Sequence, residues 1–136
     1  MTDRKRAIAL DVGDRYVGIA ATDHIDAIAY RYATIDRKQS EPFSVILDIV
    51  KKESIQEIVI GVPYHVEDGS ETQQTKKTLD FISQLKEHIG SGVSYIQVDE
   101  TLTSSQAKQN LKELGTSVHE EHAEAARLML QEYLSL

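Results

Sequence analysis

The apolar positions of this chain switch repeatedly between runs of strand length and stripes at helical spacing. Arg6 to Val12 reads as a strand and Tyr16 to Ala21 as a second, with Gly13-Asp14 between them as a two-residue hairpin turn. Ala27 to Ile35 predicts a third strand, in which Ile28, Tyr30 and Tyr32 alternate with Ala29 and Arg31. Ser40 then stands where a helix cap belongs, Pro42 fits the first turn, and Phe43, Ile46, Leu47 and Val50 form an apolar stripe. Ile58 to Val62 has the unbroken apolar character of a buried strand, and a loop runs on from it through Asp68-Gly69. Ser70 and Gln73 have capping-box spacing ahead of a long helix with Leu79, Ile82, Leu85 and Ile89 on one face. Gly90 and Gly92 end it, and Val93 to Val98 is the fifth strand. Thr103 with Gln106 predicts another helix start, with Gly115 at its end. Ser117 with Glu120 predicts a last one, along which Ala123, Ala126, Leu130 and Leu134 are aligned.

Three consecutive strands joined by short turns make an antiparallel meander, and strands that alternate with helices make a parallel sheet. The predicted architecture is therefore α/β: a five-stranded mixed sheet, three strands antiparallel and two parallel, flanked by helices. That is the element order of a ribonuclease H-like fold. The 136 residues suit one domain spanning 1–136. No apolar run approaches the ~20 residues of a membrane span. Without cysteine there are no disulfides and no thiolate metal sites, and a cytoplasmic location is permitted.

Charge changes this picture only locally. The net charge of -7 gives no basic footprint for nucleic acid. Residues 99–136 hold 3 basic against 7 acidic residues, however, and local acidity is also what a cation site needs. Asp11 ends an apolar strand, where the sheet rather than a loop would hold its carboxylate, and Gly13 follows closely enough for a phosphate to approach the backbone. Alone, Asp-Val-Gly-Asp is equally what a turn requires. Asp99-Glu100 follows the fifth strand directly, at the end of an α/β sheet where ligands bind. In His119-Glu120-Glu121-His122 the two histidines share a helix face, a spacing compatible with one metal ion. Glu120 and Glu121 are also ordinary first-turn helix acids. Arg15, Lys76, Lys77, Arg37-Lys38 and Lys51-Lys52 are the basic residues available for phosphate contacts.

Four separated segments occur in a telling order: Ala9-Leu10-Asp11-Val12-Gly13-Asp14 with Val17-Gly18-Ile19-Ala20; Val59-Ile60-Gly61-Val62-Pro63 with Asp68-Gly69-Ser70; Val98-Asp99-Glu100-Thr101-Leu102-Thr103; and Ala125-Ala126 with Leu130-Gln131-Glu132-Tyr133-Leu134. Over residues 6 to 134 the chain resembles the YqgF family, the pre-16S rRNA nuclease or Holliday-junction-resolvase-like proteins. The resemblance implies a ribonuclease H-like fold, a cytoplasmic location, divalent-metal-dependent phosphodiester hydrolysis and trimming of the 5′ end of pre-16S rRNA.

Carried over by position, the resemblance makes Asp11, Glu100 and His122 both the catalytic and the metal-binding residues. His122 stands where relatives have an aspartate, and Tyr16 and Thr101 stand where they often have arginine. An imidazole in place of a carboxylate weakens Mg2+ binding relative to Mn2+. In this reading Asp11 bridges two Mg2+ or Mn2+ ions, Glu100 holds the ion on the nucleophile side, and His122 ligates or assists proton transfer. Glu120 or Glu121 could replace His122 after a small helix rotation. Gly13, Arg15, Lys76 and Lys77 are the candidate nucleic-acid contacts. The expected partner is pre-rRNA or branched DNA, with no membrane, a possible ribosomal or nucleic-acid-binding protein partner, and a monomer or weak dimer. Two alternatives stay open: a Holliday-junction-type DNA endonuclease, and a binding module that has lost catalysis. An actin-like ATPase is excluded by length, because its nucleotide lies between two lobes.

Overall fold

Strand β1 (Ala7–Val12) is buried at all six positions, and its alternation is one of size rather than polarity. Ile8 and Leu10 point to one face of the sheet, Ala7 and Ala9 to the other. That pattern needs cover on both faces and allows a helix to come closer on the alanine side. The computed structural model describes residues 5–23, 28–65, 67–100, 109, 113 and 120–135. In it β1 pairs antiparallel with β2 (Tyr16–Thr22) and parallel with β4 (Glu57–Val62). With β3 (Ala29–Asp36) and β5 (Ser94–Asp99) at the edges, the strand order is β3-β2-β1-β4-β5. Three antiparallel strands followed by two parallel ones are the expected layout.

Helices α1 (Pro42–Glu53) and α2 (Gln73–Ile89) cover the face of large side chains, where Phe43, Ile46, Phe81 and Leu85 meet Ile8, Leu10, Ile58 and Ile60. Helix α3 (Glu121–Leu134) covers the alanine face, with Ala126, Met129 and Leu130 on Ala7, Ala9, Ala20 and Val59. The parallel strands β1, β4 and β5 end together, Leu10 beside Ile60 and Val62 beside Asp99. This common edge carries Asp11 and Glu100.

Several local expectations shift by a few residues. The hairpin loop is Asp14-Arg15 rather than Gly13-Asp14, because the Gly13 N–H donates to the Tyr16 carbonyl at 2.8 Å and extends the ladder. Glu41 rather than Ser40 caps α1, its carboxylate accepting from Ser44 N at 2.6 Å. Ile49, not Leu47, completes the buried stripe of α1. Helix α2 is capped by the Thr72/Thr75 pair, two residues along from the predicted Ser70 and Gln73. A bulge opposite Ile19/Ala20 interrupts the alternation of β3, so Arg31 and Thr34 come to share the α3 face. Ala27, the Thr103/Gln106 helix start, Gly115, Ser117 and His119 lie outside the described residues.

Candidate active site

Asp11 is 4% exposed and follows Ala7 and Ala9 in facing α3. Glu100, the first residue beyond β5, is equally buried, whereas its neighbour Asp99 is exposed. Glu100 reaches inward over Gly61, where a Cβ would lie 2.8 Å from the Glu100 Cβ and would collide with the Met129 sulfur. Glycine at this point of β4 makes room for the glutamate.

The two carboxyl groups are hydrogen-bonded to each other. Burial, then the hydrogen bond to Asp11, then the charges of Asp11 and Asp99, push the Glu100 carboxyl up to about 11. Two carboxylates without a cation cannot both stay ionised in such a place, so Glu100 keeps its proton and donates it. On its other side Asp11 meets His122, whose Nδ1 lies 2.7 Å from Asp11 Oδ2. A carboxylate oxygen accepts, so Nδ1 carries the hydrogen in this contact. The imidazole rests on the hairpin: a Cβ on Gly13 would lie 2.8 Å from His122 Nε2. Gly13 has no positive φ, so it is the closeness of the histidine that calls for glycine here.

Helix α3 is held in this position by close contact and by charge. A Cβ on Gly18 would fall on the backbone of His122 and Ala123, so the helix start lies directly on β2. Glu124, 3% exposed, takes a two-pronged contact from Arg127 at 2.7 and 2.6 Å and faces Arg31 of β3 at 3.7 Å. Glu120 turns toward Arg31 as well, at 3.9 Å. Its side chain therefore heads toward β3 rather than Asp11, which argues against Glu120 as a replacement for His122.

The hairpin beside Asp11 is braced by three contacts. Arg37 Nη1 donates to the Gly13 carbonyl at 2.9 Å, Gln74 Nε2 donates to the Val12 carbonyl at 3.3 Å, and Lys77 pairs with Asp14 at 3.3 Å. Arg15 pairs with Asp36 at 3.2 Å. Of the candidate nucleic-acid contacts, Gly13, Arg15 and Lys77 thus gather at one turn, while Lys76 projects from the exposed side of α2.

Asp11, Glu100 and His122 come from three elements and meet. Among the described residues, no group of three or more His, Asp or Glu side chains is already spread around a position for a metal ion. The physical reason is that the donors face one another, joined by the Glu100 proton and by the imidazole N–H. The donor chemistry nevertheless fits a hard divalent cation: two buried carboxyl groups, one of them held toward its protonated form by burial and by its hydrogen bond to the other.

Residues 5–136 match the RuvX family, described as Holliday junction resolvase. The chain belongs to the RuvX family. This is the YqgF family of the sequence reading under its other name. A relative from Fusobacterium nucleatum subsp. nucleatum, named "Putative pre-16S rRNA nuclease", is 35% identical over 137 residues, covering 97% of this chain and 98% of its own. Another of the same name, from Trichormus variabilis, is 35% identical over 141 residues and covers all of this chain and 91% of its own. Among solved structures, T. thermophilus RuvC in complex with Holliday junction substrate superposes with a TM-score of 0.58, at 11% identity, over 96% of this chain and 94% of that one. At that identity the likeness is one of fold, and the fold is ribonuclease H-like.

Sequence reasoning passed over Gly18 and Gly61 in this RuvX chain, although both lie inside the segments that carry the family resemblance. An isolated glycine within a strand pattern signals close approach of another group, and both positions carry that signal. Arg37 and Gln74 as hairpin braces had no local signal, because each is placed by a different element.

Proposed function

We propose that this chain is a single-domain, divalent-metal-dependent nuclease that hydrolyses phosphodiester bonds of structured RNA in the cytoplasm, trimming the 5′ end of pre-16S rRNA. The carrying observation is the buried Asp11–Glu100 carboxyl pair at the common strand edge, with His122 Nδ1 on Asp11. Family membership and the names of the relatives support the reading. Asp11 and Glu100 would hold one or two Mg2+ or Mn2+ ions, with His122 Nε2 as a nitrogen donor. Such an ion would supply Lewis acidity, activating water and offsetting negative charge on the phosphoryl oxygens. Glu100 gives up its proton when a cation faces it. His122 orients the Asp11 carboxylate through Nδ1, and Arg15 and Lys77 supply positive charge for the substrate backbone on an otherwise acidic protein.

Four-way DNA junctions are the competing substrate, favoured by the description of the family. The deciding assay offers wild type a precursor 16S rRNA fragment and a four-way DNA junction, in Mg2+ and separately in Mn2+. The RNA is expected to be cut, faster in Mn2+. His122→Asp is expected to raise the Mg2+-supported rate about ten-fold, because a third carboxylate suits that ion better than an imidazole. Cleavage of the junction alone transfers the reading to the DNA endonuclease. Salt-sensitive RNA binding without cleavage in either ion leaves a binding module.

A further inference from the structure

We propose that the groove between α3 and strands β2 and β3 is a subsite for an unpaired base, stacked on Tyr16, adjoining the phosphate that is cut. This deepens the nuclease reading and rests on it. The groove has a volume of about 600 Å³, and Tyr16, Arg31, Thr34, Asp36, Glu120 and Ala123 line it. It opens on the face of the sheet that carries Asp11. Asp11 pairs with Gly18, and Tyr16 lies two residues, about 7 Å, along the same face of β2. At its inner end the Tyr16 carbonyl accepts from Gly13, on which His122 rests. A nucleotide in the groove would neighbour one held at Asp11.

The chemistry of the lining selects a base over a phosphate. The cation in its lining, Arg31, already faces anions, 3.7 Å from Glu124 and 3.9 Å from Glu120. The lining Asp36 takes the Arg15 guanidinium at 3.2 Å from outside the groove. A phosphate entering the groove would meet the Asp36 and Glu120 carboxylates and be repelled. The N–H donors on a base edge would find acceptors in the same groups. Tyr16 offers an aromatic ring, one face of which the Arg15 guanidinium covers at 5.0 Å from its centre, so the base would stack on the opposite face. Stacking of one base on such a platform is worth about ten-fold in affinity. A base inside a duplex is stacked on both faces and unavailable, so the subsite requires a strand end or loop beside the cleavage point.

The chain contains no tryptophan, so Tyr16→Trp installs a single indole reporter. It is combined with Asp11→Asn to prevent cleavage and titrated with a labelled twelve-nucleotide single-stranded RNA and with its blunt duplex. Anisotropy of the label reports binding, and quenching of the indole reports stacking. Single strand is expected to quench the indole and the duplex to leave it bright. In the Asp11→Asn background, Tyr16→Ala should weaken single-strand binding about ten-fold, Tyr16→Phe less than two-fold, and neither should alter duplex binding. RNA that binds without quenching overturns the subsite, as does a Tyr16→Ala variant that binds single strand like its parent. The absence of any RNA binding overturns it as well. The nuclease reading stands or falls separately: wild type that cuts RNA while the indole stays bright keeps the enzyme and loses the subsite. Quenching in a protein whose wild type cuts nothing keeps the subsite and loses the enzyme.

Discussion

Asp11→Asn is expected to lower cleavage by roughly three orders of magnitude or more while making the metal-free protein more stable. Both effects have one cause. Asp11 contributes a buried negative charge that a cation needs and that, without a cation, holds a proton on Glu100, which costs stability as pH rises. The sign of the pH dependence follows from the direction of the Glu100 shift. Its folded value lies far above its unfolded value of 4.5, so the folded state binds the extra proton. Such a carboxyl contributes stability that is fully present below about pH 4.5 and is lost as pH rises toward the folded value, by at most about 1.4 kcal/mol per pH unit. In Asp11→Asn the hydrogen-bond and charge contributions of Asp11 are removed and burial remains, so the decline should stop at a lower pH. Urea unfolding in a chelator from pH 5 to pH 10 should give a stability advantage of Asp11→Asn over wild type that widens as pH rises. A constant difference would mean that Asp11 does not hold the Glu100 proton, and an unchanged cleavage rate would remove Asp11 from the mechanism.

Among the described glycines, Gly18→Ala is expected to be the most damaging addition of a methyl group. The new carbon falls on backbone atoms of His122 and Ala123, which cannot step aside as a flexible side chain can. Helix α3 must lift from β2, giving up close packing at the alanine face, at a cost of about 3 kcal/mol, the upper end for overpacking. His122 moves with it and leaves the Asp11 carboxylate, so cleavage should fall even in the fraction that stays folded. Gly69→Ala is the control, since nothing lies within 4 Å of its new carbon and the only penalty is the positive φ of 71°. That penalty is about 1 kcal/mol. Urea midpoints for the two variants decide the matter: equal losses would show that α3 does not depend on bare backbone at Gly18.

The contrast between these two glycines illustrates what could be read in advance. Both were visible as letters, and one of them, Gly69, follows an aspartate in a pattern that announces a turn by itself. Gly18 sits in the middle of Tyr-Val-Gly-Ile-Ala, and only the arrival of a helix more than a hundred residues later explains it. The acids behave likewise. Asp99 and Glu100 are adjacent letters with the same chemistry, and nothing local indicates that Glu100 turns inward over Gly61 while Asp99 faces water. Among Glu120, Glu121 and His122, only the rotation of α3 on the sheet sends Glu120 to Arg31 and His122 to Asp11.

By itself the sequence determined the order and type of the elements described, and the presence of acids at strand ends. Periodicity, turn residues and β-branched runs act over a few neighbouring residues, so they can be read from a short window. Tertiary structure decided which of the acids meet, which histidine nitrogen faces Asp11, and where the hairpin is braced. Those outcomes depend on strand register and helix rotation, set by contacts such as Asp11 with His122, 111 residues apart in the chain. A shift of one residue in register turns a side chain to the opposite face, so no local pattern carries that information.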